Sequence, residues 1–224
     1  MQELECVVVE TSSSIDSAVI WLHGLGSDGY DFQPIVKSLS LPESLGVRFI
    51  FPHAPIRPVT INGGMEMRAW YDILEMTIER KVDSKNIAES CAQVEAIINA
   101  QIEAGIPSKR IVLAGFSQGG VIAYKLGLTT QSKLAGIMAL STYLVESDAL
   151  TDAAENVNGS TSILIHHGSE DPVVPFQLGM NAREVLLNKS YLVEFESYEM
   201  PHSVCPEQVV DISKWLQKVL LKSF

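Results

Sequence analysis

The chain contains few cysteines. Cys6, Cys91 and Cys205 are its three cysteines, and their spacing lacks the close pairs that zinc sites use. Because an odd number cannot all be joined within one chain, we expect free thiols in a reducing compartment rather than a disulfide framework. With 224 residues, of which 46% are hydrophobic, the chain can bury a sizeable core without such cross-links.

Long hydrophobic runs and a basic leader are lacking as well. No run approaches the roughly 18 consecutive apolar residues that a membrane-spanning helix needs. The opening residues include Glu3 and Glu5, whereas a secretory signal begins with basic side chains. We therefore expect a soluble, cytoplasmic protein.

Basic residues are outnumbered by acidic ones. The sequence has 16 Lys and Arg against 27 Asp and Glu, which gives a formal net charge of −11. Such an excess of negative charge repels the phosphates of nucleic acids and the surface of anionic lipid. We expect no nucleic-acid partner and at most transient membrane contact, made through apolar side chains.

The sequence shows no internal repeat, low-complexity tract or linker, so we expect one domain over residues 1–224. Buried strands alternate with amphipathic helices along the chain. This alternation predicts an α/β fold with a mostly parallel, doubly wound sheet flanked by helices. We expect strands at 4–9, 18–22, 48–51, 111–114, 135–140, 162–167 and 192–198, and helices at 83–104, 118–128, 176–187 and 207–221.

The most informative segment, residues 115–119, is a Gly-x-Ser-x-Gly motif centred on Ser117. It lies where a buried strand gives way to a helix, and this context predicts a nucleophile elbow that exposes the serine hydroxyl. A side chain at Gly115 or Gly119 would collide with neighbouring backbone in so tight a turn. Ser117 is therefore the predicted nucleophile.

An acid and a histidine follow Ser117 in the chain order that such an elbow requires. Asp171 follows the strand at 162–167, and His202 follows the strand at 192–198, so both lie at the edge where open α/β sheets place active sites. We predict that His202 is the general base and that Asp171 orients it. Glu170 is the alternative acid, but Pro172 restricts the backbone after Asp171 and favours the latter.

A glycine-rich turn at 23–26 follows the strand at 18–22. In enzymes with a nucleophile elbow, a turn of this kind contributes one main-chain N–H to an oxyanion hole, and the residue after the nucleophile contributes the other. The predicted donors are the N–H groups of Leu25 and Gln118.

Residues 24–29 also match the Gly-x-Gly-x-x-Gly pattern of dinucleotide-binding folds. The next strand should then end in an acidic residue that holds the ribose, but it ends in Pro52 and His53. We therefore expect no nicotinamide cofactor.

The chain resembles the acyl-protein thioesterase, lysophospholipase and carboxylesterase branch of the α/β-hydrolases. This resemblance implies an α/β-hydrolase fold and hydrolysis of fatty acyl esters or thioesters through an acyl-serine, without cofactor or metal. It carries the catalytic roles to Ser117, Asp171 and His202, and it implies substrates such as S-acylated protein or lysophospholipid. Ser27 and Asp28 depart from the family pattern without affecting Leu25. The most specific matches lie at 23–26, 51–55, 58–60, 62–64, 67–72, 115–120, 167–168, 171–175 and 201–203.

The segment from Met65 to Lys81 has large apolar side chains without a clear strand or helix period, and Gly63 and Gly64 before it offer a hinge. The resemblance implies that it lies over the catalytic serine and lines an acyl groove. The alternative is that its apolar residues pack in the core or form a homodimer contact. The predicted substrate-binding residues are Trp70, Leu74, Met76 and Ile78.

Four further histidines are predicted to be structural. His23 precedes the glycine-rich turn and is expected to brace it by hydrogen bonding, and His53 belongs to a proline-rich turn. His166 and His167 are neighbours on one strand, so their side chains face opposite ways and make a poor metal pair.

Two other functions remain open from the sequence. One is a general carboxylesterase for small esters, and the other is a catalytically silent hydrolase fold that binds a ligand or partner. The presence of all three candidate catalytic residues, Ser117, Asp171 and His202, favours an enzyme over the silent fold.

Overall fold

Strands and helices alternate along the described chain, which is residues 3–75 and 80–221 of a computed structural model. In chain order the strands are β1 (Cys6–Glu10), β2 (Ser17–Leu22), β3 (Val47–Pro52), β4 (Ile56–Val59), β5 (Met65–Arg68), β6 (Ile73–Glu75), β7 (Lys81–Val82), β8 (Ile111–Phe116), β9 (Gly136–Leu140), β10 (Ser162–Gly168) and β11 (Val193–Tyr198). The helices are α1 (Ile35–Leu39), α2 (Ser84–Glu103), α3 (Gln118–Gly127), α4 (Phe176–Asn188) and α5 (Pro206–Leu220).

Seven strands form the central sheet, in the order β1, β3, β2, β8, β9, β10, β11. Neighbouring strands are parallel except for β1, which pairs with β3 in the antiparallel sense. The mostly parallel sheet and the edge position of β1 are therefore confirmed. Because the parallel strands all point one way, their carboxyl ends meet at a single edge of the sheet, which is where ligands bind in such folds.

The two faces of the sheet bury separate apolar clusters. One face packs against α2, α3 and α4, through side chains such as Ile87, Val121 and Leu178. The other face packs against α1 and α5, through side chains such as Leu39 and Trp215. Helices thus cover both faces, as the sequence predicts.

Helix α2 follows closely the predicted span of 83–104. Its buried apolar side chains, Ile87, Val94 and Ile98, recur at helical spacing, and the Asp83 carboxylate caps the first turn by accepting from the Asn86 N–H at 3.0 Å. Although α2 is 20 residues long, no helix within residues 3–75 and 80–221 combines the length and apolarity needed to cross a membrane.

Helix α1 and two short antiparallel strand pairs were not predicted from the sequence. Strands β4 and β5 form a hairpin, and β6 pairs with β7. Gly63 and Gly64 lie in the turn of the β4–β5 hairpin with φ of 67° and 79°, the left-handed region that glycine adopts without strain. The two glycines that suggested a hinge are therefore residues of a hairpin turn.

Cys6, Cys91 and Cys205 are all unpaired, which confirms the prediction of free thiols. Burial raises the pKa of the Cys6 thiol to about 11 and that of Cys91 to about 12. Both therefore stay protonated near neutral pH, where a thiol is a weak nucleophile.

Candidate active site

Ser117 occupies the sharp turn between β8 and α3. Its backbone has a φ of 53° and a ψ of −119°, an unfavourable conformation for a residue with a side chain. A methyl group at Gly119 would lie 2.5 Å from the Leu22 carbonyl oxygen, and one at Gly115 would overlap the Gly119 carbonyl. The two glycines are thus required for the steric reason predicted from the sequence.

Neighbouring strand ends hold the turn in place. The Ser117 N–H donates to the carbonyl of Leu140 at 2.9 Å, and the Thr142 hydroxyl donates to the Ser117 carbonyl at 2.6 Å. Both partners come from the carboxyl end of β9 and the residues after it. Strained backbone of this kind persists only where the surrounding structure determines it, as it does here.

Asp171 and His202 are in direct contact. The Asp171 Oδ2 lies 2.6 Å from the His202 Nδ1, while its Oδ1 accepts from the main-chain N–H groups of Val173 and Val174, both at 2.8 Å. The Asp171 side chain is fully buried, whereas Glu170 is exposed. The structure thus brings Asp171, and not Glu170, to the imidazole.

The hydrogen bonds keep the Asp171 carboxylate ionised. Burial alone would raise the pKa of this carboxyl group, but the bonds from His202 and from the Val174 N–H outweigh burial and hold the pKa below its usual value. An ionised carboxylate beside Nδ1 fixes the proton on that nitrogen and leaves Nε2 free to accept one.

His202 also lies against the residue that precedes the serine. The rings of Phe116 and His202 have centroids 4.7 Å apart, so the imidazole rests on the elbow itself. The His202 side chain is 15% exposed, and Ser117 is half-buried. Both groups therefore remain within reach of a ligand from solvent.

The glycine-rich turn at 23–26 approaches Ser117 closely. A Cβ at Gly24 would lie 3.5 Å from the Ser117 Cβ. Among the described residues, the main-chain N–H groups of Leu25 and Gln118 have no internal acceptor, and the N–H of Gln118 is one of the free donors that begin α3. The two predicted oxyanion donors therefore flank the serine with unused hydrogen-bonding capacity.

His23 braces this turn, as predicted. The Ala54 N–H donates to its Nε2 at 3.0 Å, so the ring proton lies on Nδ1 and is donated to the Gly24 carbonyl at 2.7 Å. Burial lowers the pKa of His23 to about 4. The ring is therefore neutral near pH 7 and keeps this single tautomer.

Trp70 also braces this turn. Its side chain has no exposed surface, and its indole N–H donates to the His23 carbonyl at 2.9 Å. Sequence reasoning assigned Trp70 to the acyl groove, whereas its burial and its hydrogen bond to His23 give it a position that supports the glycine-rich turn. Its side chain reads as apolar in the sequence, and the hydrogen bond that defines its place joins residues 47 positions apart.

The other predicted substrate-binding residues lie near β6. Leu74 is half-buried on that strand beside the buried Ile73, while Met76 and Ile78 fall outside the described residues. Strand β6 pairs with β7, which continues directly into the loop before α2.

Sequence reasoning missed a buried tyrosine pair and a cavity at this edge. The hydroxyl groups of Tyr71 and Tyr143 are 2.8 Å apart, and both side chains are buried. A cavity of about 730 Å³ is lined by Tyr143, Val82 and Leu178 among others. Tyr143 lies three residues after the end of β9. This position at the functional edge is the sequence feature that could have pointed to its contacts with Tyr71 and the cavity.

The remaining histidines have structural contacts. The side chains of His166 and His167 leave β10 in opposite directions: His167 contacts the Val174 carbonyl at 2.8 Å, whereas His166 packs edge-on against the Tyr198 ring. The Nδ1 of His53 accepts from the Gly29 N–H at 3.0 Å.

The sheet order, the strained serine turn after β8 and the paired Asp171 and His202 at the strand ends define an α/β-hydrolase fold. Residues 4–220 match the model of the phospholipase/carboxylesterase family, and the chain belongs to that family.

Several relatives are similar over nearly the whole chain. The acyl-protein thioesterase 1 of Neurospora crassa is 40% identical over 215 residues, which cover 92% of this chain and 88% of the relative. That of Cryptococcus neoformans is 36% identical over 223 residues, which cover 91% of this chain and 92% of the relative. Family and relatives place the protein among hydrolases of ester or thioester bonds.

Solved structures show the same fold. Acyl-protein thioesterase 2 of Zea mays superposes with a TM-score of 0.84 at 25% identity, over 96% of this chain and 99% of that chain. SOBER1 of Arabidopsis thaliana superposes with a TM-score of 0.81 at 29% identity, over 92% of this chain and 99% of that chain.

Proposed function

We propose that the protein hydrolyses the ester or thioester bonds of fatty acyl groups through an acyl-serine intermediate formed on Ser117. The observation that carries this proposal is the 2.6 Å contact between Asp171 and His202 beside the strained elbow. The names of the relatives, acyl-protein thioesterase 1, favour S-acylated protein as the substrate class. Lysophospholipid is a second substrate of the same chemistry, in keeping with the name of the family.

The proposed reaction begins when the His202 Nε2 takes the hydroxyl proton of Ser117 as the oxygen attacks the acyl carbonyl. The developing oxyanion accepts hydrogen bonds from the main-chain N–H groups of Leu25 and Gln118. Collapse of this intermediate breaks the bond to the thiolate or alkoxide, which receives the proton from His202. Water then attacks the acyl-serine by the same route, and the free fatty acid leaves.

Asp171 supports both half-reactions in this scheme. Its ionised carboxylate holds the Nδ1 proton of His202 and stabilises the imidazolium that forms when Ser117 is deprotonated. The two N–H groups that it also accepts, from Val173 and Val174, fix its orientation independently of His202.

The cavity beside Tyr143 is the proposed site for the acyl chain. Its volume of about 730 Å³ falls within the range of small-molecule sites, and Val82 and Leu178 contribute apolar surface to a lining shared between apolar and polar side chains. Tyr143 follows Thr142, whose hydroxyl group binds the Ser117 carbonyl, so one lining residue is next in sequence to a residue that contacts the nucleophile. Leu74, with Met76 and Ile78 in the same segment, is proposed to line its approach.

Labelling with a fluorophosphonate, combined with hydrolysis of p-nitrophenyl esters and acyl thioesters, tests the proposal. We expect Ser117→Ala to lose labelling and about 10⁶-fold in kcat, because a triad nucleophile acts only as part of the unit. Ser44→Ala, a change at an exposed serine outside the site, is the matched control and should behave as the wild type. Retention of hydrolysis by folded Ser117→Ala would exclude Ser117 as the nucleophile, and a wild type inert toward every ester would support the silent fold.

A further inference from the structure

Arg80 is a buried arginine beside the candidate site. It lies between β6 and β7 and is 8% exposed. Its backbone has a φ of 49°, a left-handed conformation that costs a non-glycine residue free energy. A buried cation held on unfavourable backbone is retained only where its contacts compensate for both costs.

The guanidinium of Arg80 reaches the loop that carries the acid. Its Nη2 donates to the Val173 carbonyl at 2.5 Å, and its central carbon lies 5.4 Å from the centroid of the Tyr143 ring. The first contact is a charge-assisted hydrogen bond, and the second is within cation–π distance. Arg80 therefore binds residues that follow two different strands, β9 and β10.

The Val173 carbonyl, which accepts from Arg80, belongs to the same peptide group as the Val174 N–H, which donates to Asp171. The peptide between Val173 and Val174 accepts from Arg80 through its oxygen and donates to the Asp171 Oδ1 through its N–H, at 2.8 Å. A peptide group is planar, and its C=O and N–H point in opposite directions. Fixing the carbonyl therefore aims the N–H, and a cation on the oxygen strengthens the hydrogen bond made by the nitrogen.

The tyrosine contact connects Arg80 to the other side of the site. The Tyr143 hydroxyl meets that of Tyr71, and the Tyr71 carbonyl accepts from the Gln118 side-chain amide at 2.6 Å. Gln118 supplies one of the proposed oxyanion donors. The cation thus lies between the acid loop and the residues that support the oxyanion hole.

We infer that Arg80 is a positioning residue, which holds the Val173–Val174 peptide so that Asp171 stays directed at His202. The role rests on the proposed function of Asp171. Arg80 acts through this peptide and does not itself take part in bond making.

Steady-state hydrolysis of p-nitrophenyl acetate by Arg80→Met tests the inference, because this short ester does not depend on the acyl cavity. We expect kcat to fall about tenfold to a hundredfold, the effect of losing one charge-assisted hydrogen bond, while KM stays within about twofold. Arg80→Lys keeps a cationic donor and should recover most of the lost kcat. Equal losses in both variants, or an unchanged kcat in Arg80→Met, would overturn the role.

A double-mutant cycle separates positioning from a general structural effect. In an Asp171→Asn background we expect Arg80→Met to lower the residual kcat by no more than about twofold, because residues that act through one group are not additive. A full, multiplicative loss in that background would show that Arg80 does not act through Asp171. If Arg80→Met does not fold, as judged by thermal unfolding, Arg80→Gln in the same two backgrounds provides the comparison.

Arg183→Met is the matched control. Arg183 also lies over an aromatic ring, with its guanidinium carbon 5.8 Å from the centroid of Phe195, but it is on α4 and does not bind the acid loop. Its loss should leave kcat unchanged. An active Ser117→Ala variant would overturn the proposed function and this role together, whereas inactive Ser117→Ala with normal Arg80→Met would overturn this role alone.

Discussion

The side-chain amide of Gln118 is joined to the main chain at Trp70: its Oε1 accepts from the Trp70 N–H at 2.7 Å, and its Nε2 donates to the next carbonyl, that of Tyr71, at 2.6 Å. These two bonds satisfy a buried N–H and a buried C=O with one side chain. They tie the start of α3 to the segment before β6. Gln118 therefore supports both the elbow and Trp70, whose indole N–H holds the glycine-rich turn.

Gln118→Ala should therefore weaken both fold and activity while it retains the proposed oxyanion N–H. Two buried main-chain groups lose their partners, which we expect to cost about 2 to 4 kcal/mol in the free energy of unfolding. We expect kcat for p-nitrophenyl butyrate to fall about tenfold, because a less rigid turn holds the oxyanion donors less well. Urea denaturation and steady-state kinetics measure the two effects. Gln177→Ala, which removes an exposed amide on α4, should alter neither.

The neighbouring carboxylates Asp171 and Glu170 make a direct comparison possible. Asp171→Asn removes the charge that orients and stabilises His202, and we expect a loss of about 10⁴-fold in kcat. Glu170→Gln makes the same chemical change at an exposed position and should leave kcat within about twofold. The assay is hydrolysis of one ester at saturating concentration by both purified variants. Similar losses in the two would contradict the assignment of Asp171.

Chain-length preference should depend on Leu74, Met76 and Ile78. Burial of each acyl methylene contributes about 0.8 kcal/mol, so several methylenes can favour a medium chain over acetyl by about a hundredfold or more. Replacing the three residues together with serine should remove most of this gain and leave turnover of the acetyl ester nearly unchanged.

The measurement is kcat/KM for p-nitrophenyl esters from acetate to dodecanoate, below the concentrations at which long chains form micelles. As a control, serine replaces three exposed apolar residues elsewhere, Leu192, Val210 and Leu221. The same slope against chain length in wild type and in the Leu74, Met76 and Ile78 variant would assign these residues to the core or to a homodimer contact.

The stability of the fold should fall in mild acid because of His166. Burial lowers the pKa of His166 to about 4, whereas an unfolded histidine titrates near 6.5. The unfolded state therefore binds more protons between these values, so stability is fully present above pH 6.5 and is lost as the pH falls toward 4. For this residue the loss between pH 7 and pH 5 is about 2 kcal/mol.

Urea denaturation of wild type and His166→Phe at the two pH values checks this prediction. The variant removes the titrating group but keeps an aromatic ring beside Tyr198. We expect its pH-dependent loss of stability to be smaller by about the amount attributed to His166. A loss equal to that of the wild type would show that His166 does not titrate in this range.

Local sequence signals predicted the parts of the site that depend on single turns and strand ends. Ser117 could be predicted because the glycines on either side of it are required sterically within five residues. Asp171 and His202 could be predicted because each follows a strand. Helix α2 was readable from the spacing of Ile87, Val94 and Ile98. In each of these cases the physical constraint acts between residues close in the chain.

The contacts that support the site were not readable in the same way. The hydrogen bond from Arg80 to Val173 spans 93 residues, and that between Tyr71 and Tyr143 spans 72. Such bonds impose no period or composition on the segments they join. Trp70 shows the consequence: its apolar ring suggested an acyl groove, while its indole N–H determines where it lies.

The tautomer of His23 makes the hydrogen bonds of the glycine-rich turn sensitive to acid. The ring accepts from Ala54 on one nitrogen and donates to Gly24 from the other, an arrangement that only the neutral imidazole can make. A second proton would place two donors face to face at Ala54 and release the proline-rich turn from the glycine-rich one. The hydrogen bond between Ala54 and His23 therefore joins the two turns at neutral pH, and it is lost only when the pH falls toward the lowered pKa of this ring.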